Sequence, residues 1–195
     1  MLMRFTAALA ALAFVAAAPA VAQTKKGSFD KQDQTYFRSL AQANLAEVQA
    51  GKLAQQQAKS AEVKQYGEHM VKDHSKMLEE QQSMAKSKGI EMPKQPSKDQ
   101  QAAMKQLQQA KGEEFDRAFM SHMVSDHQKA LKLAQDAAQK ASDPQFKALA
   151  EKAAPEIQKH LDMAKQVSDK ASAGATKASG SESKAPATGS WPRGK

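Results

Sequence analysis

Apolar residues recur along this chain at spacings of three, four and seven through four long stretches, and no segment alternates strictly between apolar and polar. The pattern therefore predicts helices and no strands. The first helix is predicted from about Asp30 to Ala58, with Phe37, Leu40, Ala41, Val48 and Ala54 on its stripe. The second runs from about Ser60 to Lys88, with Ser60 as an N-cap and Gly89 as its stop. Along it Val63, Met70, Met77 and Met84 fall on one heptad position, with Val71 and Leu78 beside them, which is a seam for packing against other helices. Residues Gly89 to Pro96 break the pattern with Pro93 and Pro96, after which Ser97 and Gln100 form a capping box for a short helix, about Lys98 to Lys111. Gly112 permits a bend. A third long helix is predicted from about Glu113 to Ala141, with Phe115, Phe119, Met123, Leu131 and Ala134 on one face. Asp143-Pro144 then opens a fourth, which ends near Lys170 and carries Phe146, Leu149, Ala153, Ile157, Ala164 and Val167, with Pro155 placed to kink it. The fold class predicted is all-α: a four-helix bundle over 30–170, with a short extra helix in the connection between helices two and three.

The ends read differently. Arg4, the apolar run Phe5 to Ala18 and the small-x-small triplet Ala20-Val21-Ala22 have the three parts of a secretory leader. Cleavage is expected after Ala22, which sends the mature chain to the periplasm or cell envelope. The apolar run is too short to span a bilayer as a helix, and no later stretch does so. Residues 23–29 read as a linker. From Ala171 to Lys195, Ala, Ser, Gly, Lys and Pro predominate, and a disordered tail that includes Trp191 is expected.

Composition narrows the chemistry. Hydrophobic residues make up 41% and aromatics 5%, so the core must be built on Ala, Leu, Val and Met rather than on rings. The absence of cysteine excludes disulfides, thiolate zinc sites and thiol catalysis. The net charge of +8 is spread among acids, which argues against a nucleic-acid partner. Lys177, Lys184, Arg193 and Lys195 face only Glu182 in the tail, which leaves open a weak attraction to anionic envelope surfaces. No phosphate-binding loop or nucleophile elbow is present.

The candidate chemistry lies in polar residues placed on apolar stripes. His74 has Met70, Val71, Met77 and Leu78 three and four residues away; His127 has Met123, Val124, Ala130 and Leu131; His160 lies among Ala153, Ile157 and Ala164. Asn44 and Glu47 occupy the equivalent stripe of the first helix. A lone histidine on such a stripe is most often a satisfied core residue. Three on separate helices, with a glutamate on the fourth, point to a shared polar cluster, because an unpaired buried imidazole or carboxylate is costly. As metal ligands, His74, His127, His160 and Glu47 make an N3O set that suits zinc, copper(II) or iron(II). Met70, Met77 and Met123 on the same faces would suit copper(I), but Met84 and Met104 continue the methionine usage without histidine and read as gap-fillers. Asp73 and Asp126 turn away from the inward histidines, poised to orient a neighbouring His or to pair with Lys. His69 and His122 fall at the boundary. The hexapeptide His69 to His74 recurs as His122 to His127, differing only at Lys72 against Ser125, which suggests two helix-pair halves related by a pseudo-two-fold.

The run Phe37, Ala41, Asn44, Glu47, Gly51, Leu53-Ala54, then His69-Met70-Val71 with Asp73-His74, Phe115-Asp116, Met123-Val124, His127, Pro155 and His160-Leu161 resembles the bacterial "predicted outer membrane protein" family, domain of unknown function 4142. The resemblance spans about Phe29 to Lys170 and implies a ferritin-like fold and an exported location, with no defined activity. The Glu-x-x-His motif of ferritin-like di-iron proteins is missing: Val71, Val124 and Ile157 stand three residues before the histidines. The expectation is an exported helical bundle that acts as a metal-binding or stress-related module. Its alternatives are a divergent ferritin-like redox enzyme, or a structural protein without ligand, for instance a homodimer.

Overall fold

The computed structural model describes the backbone of residues 29–180 and the side chains of 29–170. The expected leader with its cleavage point, the linker before Phe29 and the tail from residue 181 lie outside the described residues. Helices α1 (Lys31–Gln57), α2 (Ala61–Lys88), α3 (Lys98–Gln109), α4 (Gly112–Lys140) and α5 (Pro144–Gly180) follow in order. Their ends are set by the local chemistry of the sequence. Asp30, Ser60 and Ser97 cap α1, α2 and α3 through their side chains, the last in a full capping box. Asp143 Oδ1 accepts the backbone N–H groups of Gln145 and Phe146 at the start of α5. Gly89 closes α2 at φ 68°, in the left-handed region that a side chain would strain. Pro155 lies within α5, and the helix continues through it. The same helix runs on past Lys170, where a disordered tail was expected to begin; Ala171, Ala173, Ala175 and Ala178 favour helix more strongly than the intervening Ser and Gly oppose it.

The four long helices form two antiparallel hairpins, α1–α2 and α4–α5, each packed closely within itself. The hairpins face one another through α1 against α4 and, more sparsely, α2 against α5. The connection containing α3 crosses the length of the bundle, so that α4 starts beside the end of α1. The two antiparallel pairs are thus joined by a single long crossover. It places α2 and α4 at opposite corners, running in the same direction. The repeated hexapeptide therefore does not occupy equivalent helices of two duplicated hairpins, as the sequence suggested. It occupies diagonal, parallel helices, which start at the same end of the bundle and deliver their second histidine to a similar depth.

Two buried aspartates tie the hairpins together. Asp33, in the first turn of α1, accepts the N–H groups of Ser142 and Asp143 at 3.0 and 2.8 Å. Asp116, the fifth residue of α4, accepts those of Lys59 and Ser60 at 3.0 and 2.8 Å. Each hairpin thus caps the turn of the other. At the Asp33 end, buried Lys88 also pairs with Asp143 at 2.5 Å.

Apolar packing falls into two clusters. One gathers Val63, Tyr66, Met70, Phe115, Phe119, Met120 and Met123; the other gathers Phe29, Phe37, Leu40, Phe146 and Ile157 with a set of alanines. At Gly51 and Gly67 the backbones of α1 and α2 nearly touch. A Cβ on Gly51 would lie 2.6 Å from the Gly67 carbonyl oxygen, and one on Gly67 would lie 2.8 Å from that of Gly51.

Candidate metal centre

His74, His127 and His160 meet at mid-length in the bundle, each almost wholly buried. One ring nitrogen from each lies within 4.8 Å of the others. Ring centroids are 5.0 Å apart for His74 and His160, and 5.6 Å for each pair with His127. Each ring is held from behind by a different acceptor. His74 Nδ1–H donates to Asn44 Oδ1 at 2.8 Å, and Asn44 in turn donates to Gln81 Oε1 at 2.9 Å. His127 Nδ1–H donates to the Met123 carbonyl at 2.8 Å, one helical turn back. His160 Nε2–H donates to Asp73 Oδ2 at 3.1 Å, across the α2–α5 seam.

These bonds fix the tautomers. With one nitrogen of each ring protonated and committed, the other carries a lone pair: Nε2 of His74, Nε2 of His127 and Nδ1 of His160. All three are buried and without a hydrogen-bond partner. Burial, reinforced by the mutual repulsion of the rings, pushes His74 well below the usual imidazole range. Burial pushes His127 down to about 4 against the opposing pull of the Met123 carbonyl. Burial also lowers His160, although Asp73 works the other way. Burial thus favours the neutral form of all three rings, and each of these adjoining rings keeps one buried acceptor nitrogen without a donor. A buried acceptor left unmatched is costly, and a cation placed among the three would satisfy all of them at once. Outer-nitrogen bonds to an amide, a carbonyl and a carboxylate are the supports that metal-ligating histidines use.

Of the four residues singled out from sequence, the structure brings the three histidines together and sets Glu47 apart. Glu47 is buried, but its Oε1 lies 3.8 Å from His127 Nδ1, the nitrogen already bonded to Met123, so it stands behind the ring rather than among the free lone pairs. Burial, with the charge of Asp126 beyond it, holds the Glu47 carboxyl well above the usual range. Burial pushes the carboxyl up and the imidazole down, which disfavours an ion pair between them. Glu47 Oε2 has no partner. Among the described residues Glu47 is the one buried glutamate, so a carboxylate-bridged di-iron centre lacks its ligands here.

Asp73 orients His160, a histidine of another helix, while Asp126 pairs with His122 at 3.2 Å and with Lys129 at 3.2 Å. Gln81 was not singled out from sequence. Its signal was its place on the α2 seam, seven residues after His74, where a polar side chain needs a buried partner.

The family model described as Domain of unknown function (DUF4142) matches residues 17–167. Among solved structures, the chain is similar to CopM in the Cu(II)-bound form, at 17% identity and a TM-score of 0.57, over 71% of this chain and 96% of that one. That likeness shows a shared fold. No curated protein matches the chain in sequence. Among the described residues, no helix is long and apolar enough to cross a membrane.

Proposed function

The chain belongs to the DUF4142 family, and from the centre its helices enclose we propose that it binds one transition-metal ion, copper(II) foremost, as an exported cell-envelope protein. The observation that carries this reading is the set of three buried imidazoles that converge within the bundle, each with one nitrogen left unpartnered. Three nitrogen donors without thiolate suit copper, zinc and iron(II), and among these divalent ions affinity peaks at copper(II). The similarity of the fold to that of a protein solved in a Cu(II)-bound form supports the same choice. Export is supported by the leader pattern of Arg4, Phe5 to Ala18 and Ala20-Val21-Ala22. Glu47 supports the centre from behind His127 and leaves the ligand set as three histidines.

The test is elemental analysis of untagged protein, followed by copper(II) titration of the metal-free form. One ion per chain is expected. His74→Ala, His127→Ala and His160→Ala should each weaken copper(II) binding by about a thousandfold, near 4 kcal/mol. Copper(II) should also raise the melting temperature of the wild type by mass action. Metal-free protein whose melting point ignores copper, zinc and iron would end the proposal.

A further inference from the structure

An enclosed centre needs a way in, and the four seams between adjacent helices offer unequal routes. The α1–α2 seam is shut where Gly51 and Gly67 bring the two backbones into contact. The α4–α5 seam is closely packed. A groove between α1, α4 and the start of α3 reaches Glu47, but that carboxyl is almost wholly buried and offers an arriving ion no exposed oxygen.

The α2–α5 seam is different. It is the sparser of the two contacts between hairpins, and it holds a cavity of about 130 Å³. Asn44 and Asp73 both line this cavity, and they are the residues that hold His74 and His160. Its α5 wall includes the small side chains of Ala150 and Ala153. On its outer side Lys152 of α5 reaches Glu80 of α2 at 2.6 Å, an ion pair that straddles the seam, and Glu156 stands one turn further along α5. Asp73, with 37% of its side chain exposed, is the cavity-lining carboxylate that bonds a ring of the centre, at His160 Nε2.

We propose that the ion enters and leaves through this α2–α5 cavity, with the Lys152–Glu80 pair as a strap over its mouth and Asp73 as the carboxylate that receives the ion before His160. The inference rests on the reading of the three histidines as a metal centre. It assigns a kinetic role to residues that touch none of the ligand nitrogens.

The test is stopped-flow uptake of copper(II) by the metal-free full chain, with release measured by transfer to excess chelator. Ala153→Phe fills the cavity and should slow uptake and release together by about tenfold, while leaving equilibrium affinity nearly unchanged, because a raised barrier acts on both directions. Lys152→Ala removes the strap and a repelling cation from an exposed position, and should speed both by about threefold. Ala43→Phe, in the opposite groove, should leave both rates as they are. Lys152→Ala keeps the test open should Ala153→Phe fail to fold. Slowing by Ala43→Phe, or unchanged rates in both Lys152→Ala and Ala153→Phe with normal copper affinity, would overturn the route and leave the centre standing. Wild type that takes up no copper would overturn both.

Discussion

The ends and the middle of this bundle both bury polar groups, but they satisfy them differently. At the ends, both oxygens of Asp33 and of Asp116 accept backbone N–H groups from the turn of the opposite hairpin. In the middle, Glu47, His74, His127 and His160 each keep one polar atom buried without a partner. A fully bonded carboxylate is an architectural device, because everything it needs is already in the chain. A cluster left with buried acceptors unmatched has a demand that the described residues do not meet.

The contrast can be broken at either region. The largest stability loss is expected at the ends: Asp116→Ala or Asp33→Ala strands two N–H groups each, and should cost about 4 kcal/mol in urea unfolding, with copper(II) affinity of the folded protein unchanged.

The middle should show itself in pH dependence. His127 titrates at about 4 in the fold and near 6.5 when unfolded, so between those values the unfolded chain holds the extra proton. Stability of the metal-free protein is therefore complete above pH 6.5 and drains away as pH falls towards 4, by about 3 kcal/mol from this residue alone. His127→Gln should flatten that slope in thermal melts.

The outer support of the centre gives a smaller effect. Asn44→Ala releases His74 Nδ1 and should weaken copper(II) binding 10- to 100-fold. The smallest change runs in the opposite direction. Glu47 has a raised folded value, so it opposes folding once pH exceeds its unfolded value near 4.5. Glu47→Gln should melt higher than wild type at neutral pH, and the advantage should vanish near pH 4. An advantage that persists at pH 4 would show that it does not come from the titration of this carboxyl.

How much of this could be read beforehand depended on the range of the interaction. The helices and their starts were legible because Asp30, Ser60, Ser97 and Asp143 act within three residues of themselves. The inward aim of His74, His127 and His160 was legible because apolar neighbours at three and four residues fix the face of a helix. The position of Glu47 behind His127 was not, since periodicity gives a face but not which neighbouring helix that face meets. The bonding of Asp33 and Asp116 was not legible for the same reason: their partners lie more than fifty residues away, in turns whose approach depends on how the hairpins dock. The hexapeptide repeat was real, yet its meaning depended on the crossover, which makes α2 and α4 parallel diagonals rather than counterparts.

The paired glycines of α1 and α2 have a bearing on the imidazoles two turns away. Gly67 precedes His74 by seven residues on the same helix, about 10 Å along its axis. A methyl group at Gly67 or Gly51 must wedge the first hairpin open, and the displacement carries down the rod to the ring of His74. His74 would then move with α2 relative to His127 and His160. Alanine at either position is a means of shifting that ring in small steps without touching a donor atom.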